Sequence, residues 1–256
     1  MTPCTDTCLI IAAGMGTRMA HRSDSKPLLE VEGYALIERV IMTASNAGLT
    51  RFVVVTGHHG ERLQIFLREV AITVGVNIQF VQNDDWTRAN GLSVYSAHMQ
   101  LNKPFFLLMS DHLFDPKIVR VMNQNTPPEG GLLLGVDRNL NNPLIDLDDV
   151  TKVHSEHGHI RHIGKQLTQY DAYDTGIFLC TPGLFGALKS SMEQGDDSLS
   201  GGVYRLAEKN LAHVHDIEGR FWLDVDDETA FHKATAVLQA ASNTPGNVVA
   251  ETATAT

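Results

Sequence analysis

The chain has 256 residues, of which 43% are hydrophobic and 20% charged, and its formal net charge is −10. This length and composition fit a globular protein with a sizeable core, built as one large α/β domain or two small ones. The acidic balance and the lack of a basic run argue against a nucleic-acid-binding surface, so handling phosphates would need a few local cations or a divalent metal.

A short apolar strand at residues 9–11 runs directly into a loop of small residues. Small side chains let a flat nucleobase approach the backbone, and glycines let the loop's N–H groups wrap around phosphate. Behind the loop, the Arg18 guanidinium can grip phosphate oxygens as a planar fork, and the Lys26 ammonium can act as a point charge. The stretch predicts a nucleotide site that uses these two cations together with Ala12, Ala13, Gly14, Gly16 and Thr17.

Two better-known glycine-rich loops do not match this stretch. The dinucleotide-binding pattern would need a third glycine where Met19 stands, and the P-loop would need Gly-Lys-Ser/Thr at the end of a longer loop. A glycine-rich loop after a strand is a weak signal by itself, so the interpretation depends on the segments that follow.

Helices and strands alternate from this loop to residue 109, which is typical of a doubly wound, mostly parallel sheet. An apolar stripe predicts a helix over 34–48, with Gly48 as its stop, and a second stripe predicts a helix around 63–70. β-branched and apolar runs predict strands at 51–56, 77–81 and 105–109.

The regular alternation of predicted helices and strands ends after Asn123. We expect a strand at 132–136, a polar loop at 139–149, a hairpin of 151–154 with 159–163 turning at His157-Gly158, and strands at 175–180 and 211–217. Thr181-Pro182 is expected to cap and begin a helix, and a last helix is expected over 228–241. Residues 1–242 are predicted to form a single domain, and the small, polar residues 243–256 a disordered tail.

Three carboxylates stand where a metal site could form. Asp111 directly follows the apolar strand at 105–108, and ligands of open α/β sheets bind beside the carboxyl ends of such strands. In an extended segment Asp224 and Asp226 share one face, where two like charges repel unless a cation lies between them. Hard carboxylate oxygens suit Mg²⁺. The structural alternatives are that Asp111 begins a turn or caps the following helix, and that Asp226 or Asp227 caps the last helix.

A polar stretch at 82–93 offers further contacts for a nucleotide. Gln82, Asn90, Gly91 and Ser93 lie at or before a predicted helical turn, whose N–H groups and amide side chains can read a base edge or hold phosphate. The structural alternative is an Asn-Gly turn with a serine cap.

The histidines suggest a metal cluster by number alone. Two are at 213 and 215, and four lie in the predicted hairpin, at His154, His157, His159 and His162. They come without paired cysteine or acidic ligands, so we interpret them as surface residues of the hairpin rather than as a zinc site.

The N-terminal segments resemble the signature of the nucleotidyltransferases that activate sugar phosphates and related alcohol phosphates. Its pattern is Leu-x-x-Ala-Ala-Gly-x-Gly-Thr/Ser-Arg followed by Lys-Pro-Leu, and residues 9–18 with 26–28 match it, while Ser25 stands where many members have proline. The resemblance implies a Rossmann-like nucleotidyltransferase fold with catalytic Arg18 and Lys26. It also implies Mg²⁺ as cofactor on Asp111, Asp224 and Asp226, and nucleotide contact at 90–93.

The middle of the chain is similar to one branch of that family, the inositol-1-phosphate cytidylyltransferases. The similarity lies in residues 151–153, 163–165 and 171–178, with 90–93 and 109–112. It implies transfer of a nucleotide from an NTP, CTP in this branch, to an alcohol phosphate, with acceptor contacts from Lys165, Asp174 and Gly176. The branch is often fused to a membrane-embedded phospholipid synthase. No such segment occurs in these residues, so we expect a separate partner enzyme or a different substrate.

Other activities share much of this pattern. Phosphonate, phosphocholine and sugar-1-phosphate nucleotidyltransferases are alternatives, and a molybdopterin-cofactor nucleotidyltransferase would have the same fold. A regulatory protein that binds nucleotide without turnover would keep the glycines but discard the charges that this chain retains at Arg18, Lys26, Asp111 and Asp224.

Cysteine usage and hydropathy predict a cytoplasmic protein without a membrane partner. The three cysteines (Cys4, Cys8 and Cys180) form no metal-binding spacing, as expected for reduced thiols. The first residues are polar rather than a signal peptide, and no apolar stretch approaches the roughly 20 residues of a membrane span. The oligomeric state stays open, with a homodimer as one possible assembly.

Overall fold

The computed structural model describes residues 3–242, whose largest element is a nine-stranded β-sheet. The strands are β1 (Thr7–Ala12), β2 (Glu30–Val31), β3 (Tyr34–Ala35), β4 (Arg51–Thr56), β5 (Asn77–Gln82), β6 (Phe105–Met109), β7 (His112–Phe114), β8 (Leu132–Asp137), β9 (Lys152–Glu156), β10 (His159–Gly164), β11 (Ala172–Cys180), β12 (Ala212–Asp216) and β13 (Trp222–Asp224). The helices are α1 (Leu36–Asn46), α2 (Gly60–Val74), α3 (Asn90–Ser96), α4 (Pro116–Met122), α5 (Gly183–Glu193), α6 (Leu199–Ala207) and α7 (Glu228–Ser242), and short 3₁₀ turns cover Thr17–Met19 and Lys26–Leu28.

The first half of the sheet is parallel, in the order β5-β4-β1-β6. Successive residues of β1 alternate between two apolar clusters, with Cys8 and Ile10 in one and Leu9 in the other. Because both faces are covered, these strands are continuous apolar runs in the sequence. The predicted α/β class is confirmed.

The second half of the sheet is mixed, because β11 pairs antiparallel with both β6 and β8. β12 lies parallel to β8, while β9 and β10 form the predicted hairpin, and β9 pairs back onto β11. His157 and Gly158 both have positive φ, 51° and 81°, as a tight two-residue hairpin turn requires. The parallel alternation therefore extends to β6, and antiparallel strands build the rest.

Two predicted helix starts are wrong by one or two residues. Tyr34 and Ala35 form β3, paired with β2, so α1 begins only at Leu36. Thr181 does not cap α5, because its hydroxyl donates instead to the Gly131 carbonyl at 2.8 Å and the helix begins at Gly183. The predicted tail, 243–256, lies outside the described residues.

A two-stranded ribbon of β7 and β13 lies apart from the main sheet. Its antiparallel register places Asp224 opposite His112, and the Val225 amide donates to the Asp111 carbonyl at 3.1 Å. The ribbon thus brings together two acidic segments more than a hundred residues apart. Within the described residues, no helix combines the length and hydropathy that a bilayer span requires.

Candidate active site

The loop after β1 borders a cavity of about 210 Å³. Its wall includes the glycines at 14 and 16, with Ala12 from the end of β1 and Lys26 from the following turn. Gly16 has φ +66°, and a Cβ placed on it would overlap Lys26, so glycine is needed for this close approach. The predicted loop and its lysine therefore form one surface.

Lys26 is a buried cation surrounded by the three predicted metal ligands. Its ammonium lies 2.6 Å from Asp111 and 3.9 Å from Asp224, and it contacts Asp226, while only 8% of its side chain is exposed. Burial alone would lower the pKa of Lys26, but the three carboxylates outweigh it and raise that pKa above its usual value. The lysine is therefore held as an ammonium.

His112 connects Asp111 with Asp224. Its Nδ1 lies 2.9 Å from Asp111 and 3.6 Å from Asp224. Burial opposes charge on the imidazole, but Asp224 and Asp111 raise the pKa of His112 to about 9. Burial and the neighbouring carboxylates raise the pKa of Asp224 to about 8, whereas Lys26 and His112 overcome burial and hold the pKa of Asp111 well below its usual range.

The acidic residues could hold a metal ion in two overlapping groups. One is Asp111, His112 and Asp224, and the other is Asp149, Asp224 and Asp226, so Asp224 belongs to both. The Oδ1 atom of Asp224 is buried without a hydrogen-bond partner among the described residues, and an unsatisfied hard oxygen is a suitable ligand for a divalent cation. The residues therefore fit a magnesium-type ion, although the predicted trio is divided between two groups.

A second cavity, of about 560 Å³, lies beyond these carboxylates. The predicted residues on its wall are Arg18, Asn90, Asp111, Lys165, Asp174, Gly176, Asp224 and Asp226. Asp111 and Asp226 also border the smaller cavity, so the two cavities meet at these carboxylates. The sequence predicted one group of residues for the NTP and another for the acceptor, and the structure has two adjoining cavities.

Asp174 and Gly176 line the larger cavity from β11. Burial raises the pKa of Asp174 to about 6, although the Gly176 amide donates to its carboxylate at 2.8 Å. Gly176 has φ +72°, and a Cβ there would lie 2.6 Å from His112 Cδ2. Glycine thus allows the histidine to pack against the strand.

The structure also places Arg18 and Lys165, predicted on opposite sides of the reaction, on one carboxylate. Arg18 donates to Asp149 at 2.9 Å and also contacts Asp226, while Lys165 pairs with the other oxygen of Asp149. Asp149 lies in the stretch interpreted from the sequence as a polar loop. Its spacing gave no signal, because only the fold brings that loop to the cavity.

The predicted nucleotide contacts at 82–93 make hydrogen bonds within the protein. Asn90 accepts from the Leu199 amide at 2.9 Å, Ser93 accepts from Asn83 at 2.9 Å, and Gln82 accepts from the Thr56 hydroxyl at 3.1 Å. A Cβ on Gly91 would overlap the backbone of 197–198. Asn90 and Gly91 thus position α3 against the start of α6. Contact of these four residues with a nucleotide stays a prediction.

The histidines of the hairpin pair with one another and with His213 of β12; His162 is exposed, and His154, His159 and His213 are half-buried. The rings of His154 and His162 stack with centroids 6.1 Å apart, and those of His159 and His213 meet edge to face at 4.3 Å. Both metal-compatible groups within residues 3–242 lie at the acidic site instead. The reduced state expected of the cysteines agrees with three free thiols.

Sequence comparison relates the chain to bifunctional enzymes. It is 33% identical over 222 residues to the "Bifunctional IPC transferase and DIPP synthase" of Rubrobacter xylanophilus, covering 85% of this chain and 48% of that protein. The protein of the same name from Aquifex aeolicus is 30% identical over 237 residues, with 91% and 52% covered. The chain therefore spans about half the length of these relatives.

Solved structures share the fold. The inositol-1-phosphate CTP transferase from T. maritima superposes with a TM-score of 0.82 at 22% identity, covering 93% of this chain and 98% of that one. A putative glucose-1-phosphate thymidylyltransferase from Bacillus anthracis gives 0.78 at 17% identity, covering 90% and 94%. A family model described as "MobA-like NTP transferase domain" matches residues 8–147, more than half of the 256. The chain belongs to the family of MobA-like NTP transferase domains.

Proposed function

We propose that the protein transfers a cytidylyl group from CTP to an alcohol phosphate such as inositol 1-phosphate and releases pyrophosphate. The observation that carries the proposal is the junction of the two cavities at Asp111 and Asp226, where Lys26 contacts both carboxylates. A group-transfer enzyme with two substrates needs two adjoining spaces with charge control between them. The names of the relatives support the choice of CTP and an inositol phosphate.

In this reaction an acceptor phosphate oxygen attacks the α-phosphorus of CTP in line. A new P–O bond forms to the acceptor, and the bond from the α-phosphorus to pyrophosphate breaks. The attacking oxygen is already anionic, so catalysis depends on positioning and on neutralising charge. The loop at 12–17 would hold the nucleotide, and Lys26 would stabilise charge that grows on the α-phosphate.

Residues of the larger cavity would bind the acceptor. Lys165 would pair with its phosphate, and Asp174 would accept hydrogen bonds from its hydroxyl groups. A cavity of about 560 Å³ is large enough for a small polyol phosphate. Gln82, Asn90, Gly91 and Ser93 would support the nucleotide side.

We further propose Mg²⁺ as the cofactor, held by Asp111 and Asp224 with Asp226. A bound Mg²⁺ neutralises phosphate charge and orients phosphate oxygens. Support for this set comes from the two metal-compatible groups and from the buried Asp224 oxygen, which has no hydrogen-bond partner among the described residues.

Three alternatives remain for the test. Structural likeness to a glucose-1-phosphate thymidylyltransferase favours a sugar 1-phosphate as the second candidate acceptor. Phosphocholine or a phosphonate would need the same anion contacts. A nucleotide-binding regulator without turnover would not need the buried cation and carboxylates at the junction.

The test is pyrophosphate release with each of four NTPs against a panel of inositol 1-phosphate, glucose 1-phosphate, phosphocholine and a small phosphonate. We expect turnover with CTP and inositol 1-phosphate, and CDP-inositol as the product by ³¹P NMR and mass spectrometry. Preference for another NTP or acceptor would replace the substrate assignment. Nucleotide binding without pyrophosphate release from any pair would refute the transferase itself.

A further inference from the structure

Two charged residues are buried in the part of the chain that the structure describes, Lys26 and Asp137. Lys26 belongs to the candidate active site, whereas Asp137 ends β8 with 1% of its surface exposed. Its hydrogen-bond donors among the described residues are all neutral, so no cation is paired with it. A buried carboxylate without a cation is unfavourable unless hydrogen bonds satisfy it. Its donors therefore identify what Asp137 does.

Three groups donate to the Asp137 carboxylate. Oδ1 accepts from the Asn139 amide at 2.9 Å, and Oδ2 accepts from the Asn142 side chain at 2.8 Å and the Trp222 indole at 2.9 Å. The Asn142 side chain cannot turn its oxygen toward Asp137 instead, because that oxygen accepts from the Leu144 amide at 3.0 Å. Every neighbour is thus a donor, and this position requires a side chain that only accepts.

The indole bond fixes the β13 wall of the larger cavity. Trp222 lines this cavity, and its ring stacks on His112 with centroids 6.4 Å apart. Because alternate residues of a strand share a face, the direction of the Trp222 side chain also sets that of Asp224, two residues further on. The bond to Asp137 therefore determines how β13 meets the cavity.

The bonds from the two asparagines fix a second wall. Asn139 and Asn142 begin the segment between β8 and β9, which contains no helix or strand. Residues 144–147 and 149–151 of this segment line the larger cavity. The Asn139 amide closes a turn on the Asp137 side chain, and bonds of this kind direct the course of a loop that has no regular backbone pairing.

We propose that Asp137 is a positioning residue for the acceptor, because one buried carboxylate joins two walls of the larger cavity. Asp137 itself is not part of the cavity wall within the described residues, so it acts through Trp222 and Asn142. This inference rests on the proposed function for the identity of the acceptor. It predicts that loss of the carboxylate weakens acceptor binding, while the loop at 12–17 holds the nucleotide as before.

The first experiment is steady-state kinetics of Asp137→Asn with CTP and inositol 1-phosphate varied separately. Asparagine replaces one acceptor oxygen by an N–H donor, and whichever oxygen is replaced, the new donor faces another donor. At least one wall must then shift. The acceptor's KM should rise about tenfold or more, since a displacement of about 1 Å far from the chemistry can cost about a hundredfold. The KM for CTP should change little.

The indole N–H of Trp222 reports the same contact by NMR. Its signal should exchange slowly with solvent in the wild type and should shift in Asp137→Asn. The Trp86 indole, in the loop after β5, is the internal reference and should not shift. Trp222→Phe removes the donor and keeps an aromatic ring. Because both substitutions break one shared contact, their effects on the acceptor's KM should not multiply in the double variant.

Asp171→Asn is the matched control. Asp171 is likewise a carboxylate with several donors, among them the Ser155 amide and hydroxyl at 2.6 and 2.7 Å, and the described wall of the cavity does not include it. This substitution should lower the melting temperature without raising the acceptor's KM. It thereby separates a loss of stability from a loss of positioning.

An unchanged acceptor KM in Asp137→Asn, or an equal rise in Asp171→Asn, would overturn the proposal. If Asp137→Asn does not fold, Trp222→Phe decides in its place, and an unchanged acceptor KM there has the same meaning. If another NTP or acceptor turns over, the kinetics use that pair, so a wrong substrate assignment leaves the test intact. Absence of turnover with every pair would refute the transferase and this role together.

Discussion

The two cavities differ in how the protein treats its charges. On the loop side, Lys26 is 8% exposed and surrounded by Asp111, Asp224 and Asp226. On the other side, Lys165 is 50% exposed and pairs with Asp149. Moving a buried cation away from several carboxylates costs much free energy, because the charges left behind are buried and unpaired. An exposed ion pair contributes little free energy and can exchange partners. The comparison predicts fixed, rate-determining residues on the loop side and adaptable, affinity-determining residues on the acceptor side.

The largest expected effect is at Lys26. Lys26→Ala should lower kcat by about 10²–10³-fold, because removing one preorganised donor that stabilises transition-state charge typically lowers kcat by that factor. The acceptor's KM should change little, since this interaction strengthens only in the transition state. Steady-state kinetics with each substrate varied checks the expectation, and Lys103→Ala, an exposed lysine, is the control.

A mainly raised acceptor KM in Lys26→Ala would reverse the assignment of the two sides. The melting temperature must be measured as well, since removing Lys26 takes away the buried ammonium that all three carboxylates share.

The next effect is at the metal ligands. Asp111→Asn should lose on the order of a hundredfold in rate, because a metal site supplies several kcal/mol of charge stabilisation. Excess EDTA should stop the wild-type enzyme, and added Mg²⁺ should restore it. The exposed Asp148→Asn is the matched control. Near-normal rates for Asp111→Asn, or for the wild type in EDTA, would rule out the metal site.

A substitution at Lys165 tests the prediction for the exposed ion pair at the larger cavity. Lys165→Ala should raise the acceptor's KM about ten- to a hundredfold and spare more of kcat, because a charge-assisted contact contributes roughly 1.5–3 kcal/mol. Binding of the NTP alone should stay intact. Lys189→Ala, on the exposed face of α5, should be silent. An unchanged acceptor KM would mean that Lys165 is a solvated residue without a role in binding.

A smaller effect is expected at Gly176, which lines the larger cavity and packs closely against His112. Gly176→Ala would force a Cβ to 2.6 Å from His112 at φ +72° and should cost about 1–3 kcal/mol of unfolding free energy. For a chain of this size the melting temperature would fall by roughly 2–4 °C per kcal/mol. Gly186→Ala, in α5 with open space around it, should instead stabilise by up to about 1 kcal/mol. Equal melting temperatures for the two variants would remove the steric argument.

The smallest effect is expected at the histidines of the hairpin. If they are surface residues, elemental analysis should find well under one zinc per chain. The circular dichroism spectrum and melting temperature should not change after chelation. One tightly held zinc per chain would refute the interpretation that the histidines at 154, 157, 159, 162, 213 and 215 are surface residues without a metal.

Part of the candidate site could be predicted from short segments of the sequence. The loop at 12–18 and Lys26 form one short segment, and its chemistry follows from residue type: small residues next to a strand, glycine at a positive φ, and a fixed cation. Asp111 was predictable for the same reason, since it follows an apolar strand, and the positive φ values of His157 and Gly158 agree with the predicted hairpin turn.

The rest required long-range pairing. The sequence determined the α/β class, the alternating strands and helices up to β6, and the charges available for catalysis, because apolar periodicity and residue chemistry are local properties. Only the tertiary structure decided that β7 pairs with β13 to place His112 opposite Asp224, and that Asp149 reaches Arg18 and Lys165 from a loop without periodicity. It also made β11 antiparallel, because strand direction depends on which partners cover the remaining edge of the sheet rather than on the apolar pattern within the strand.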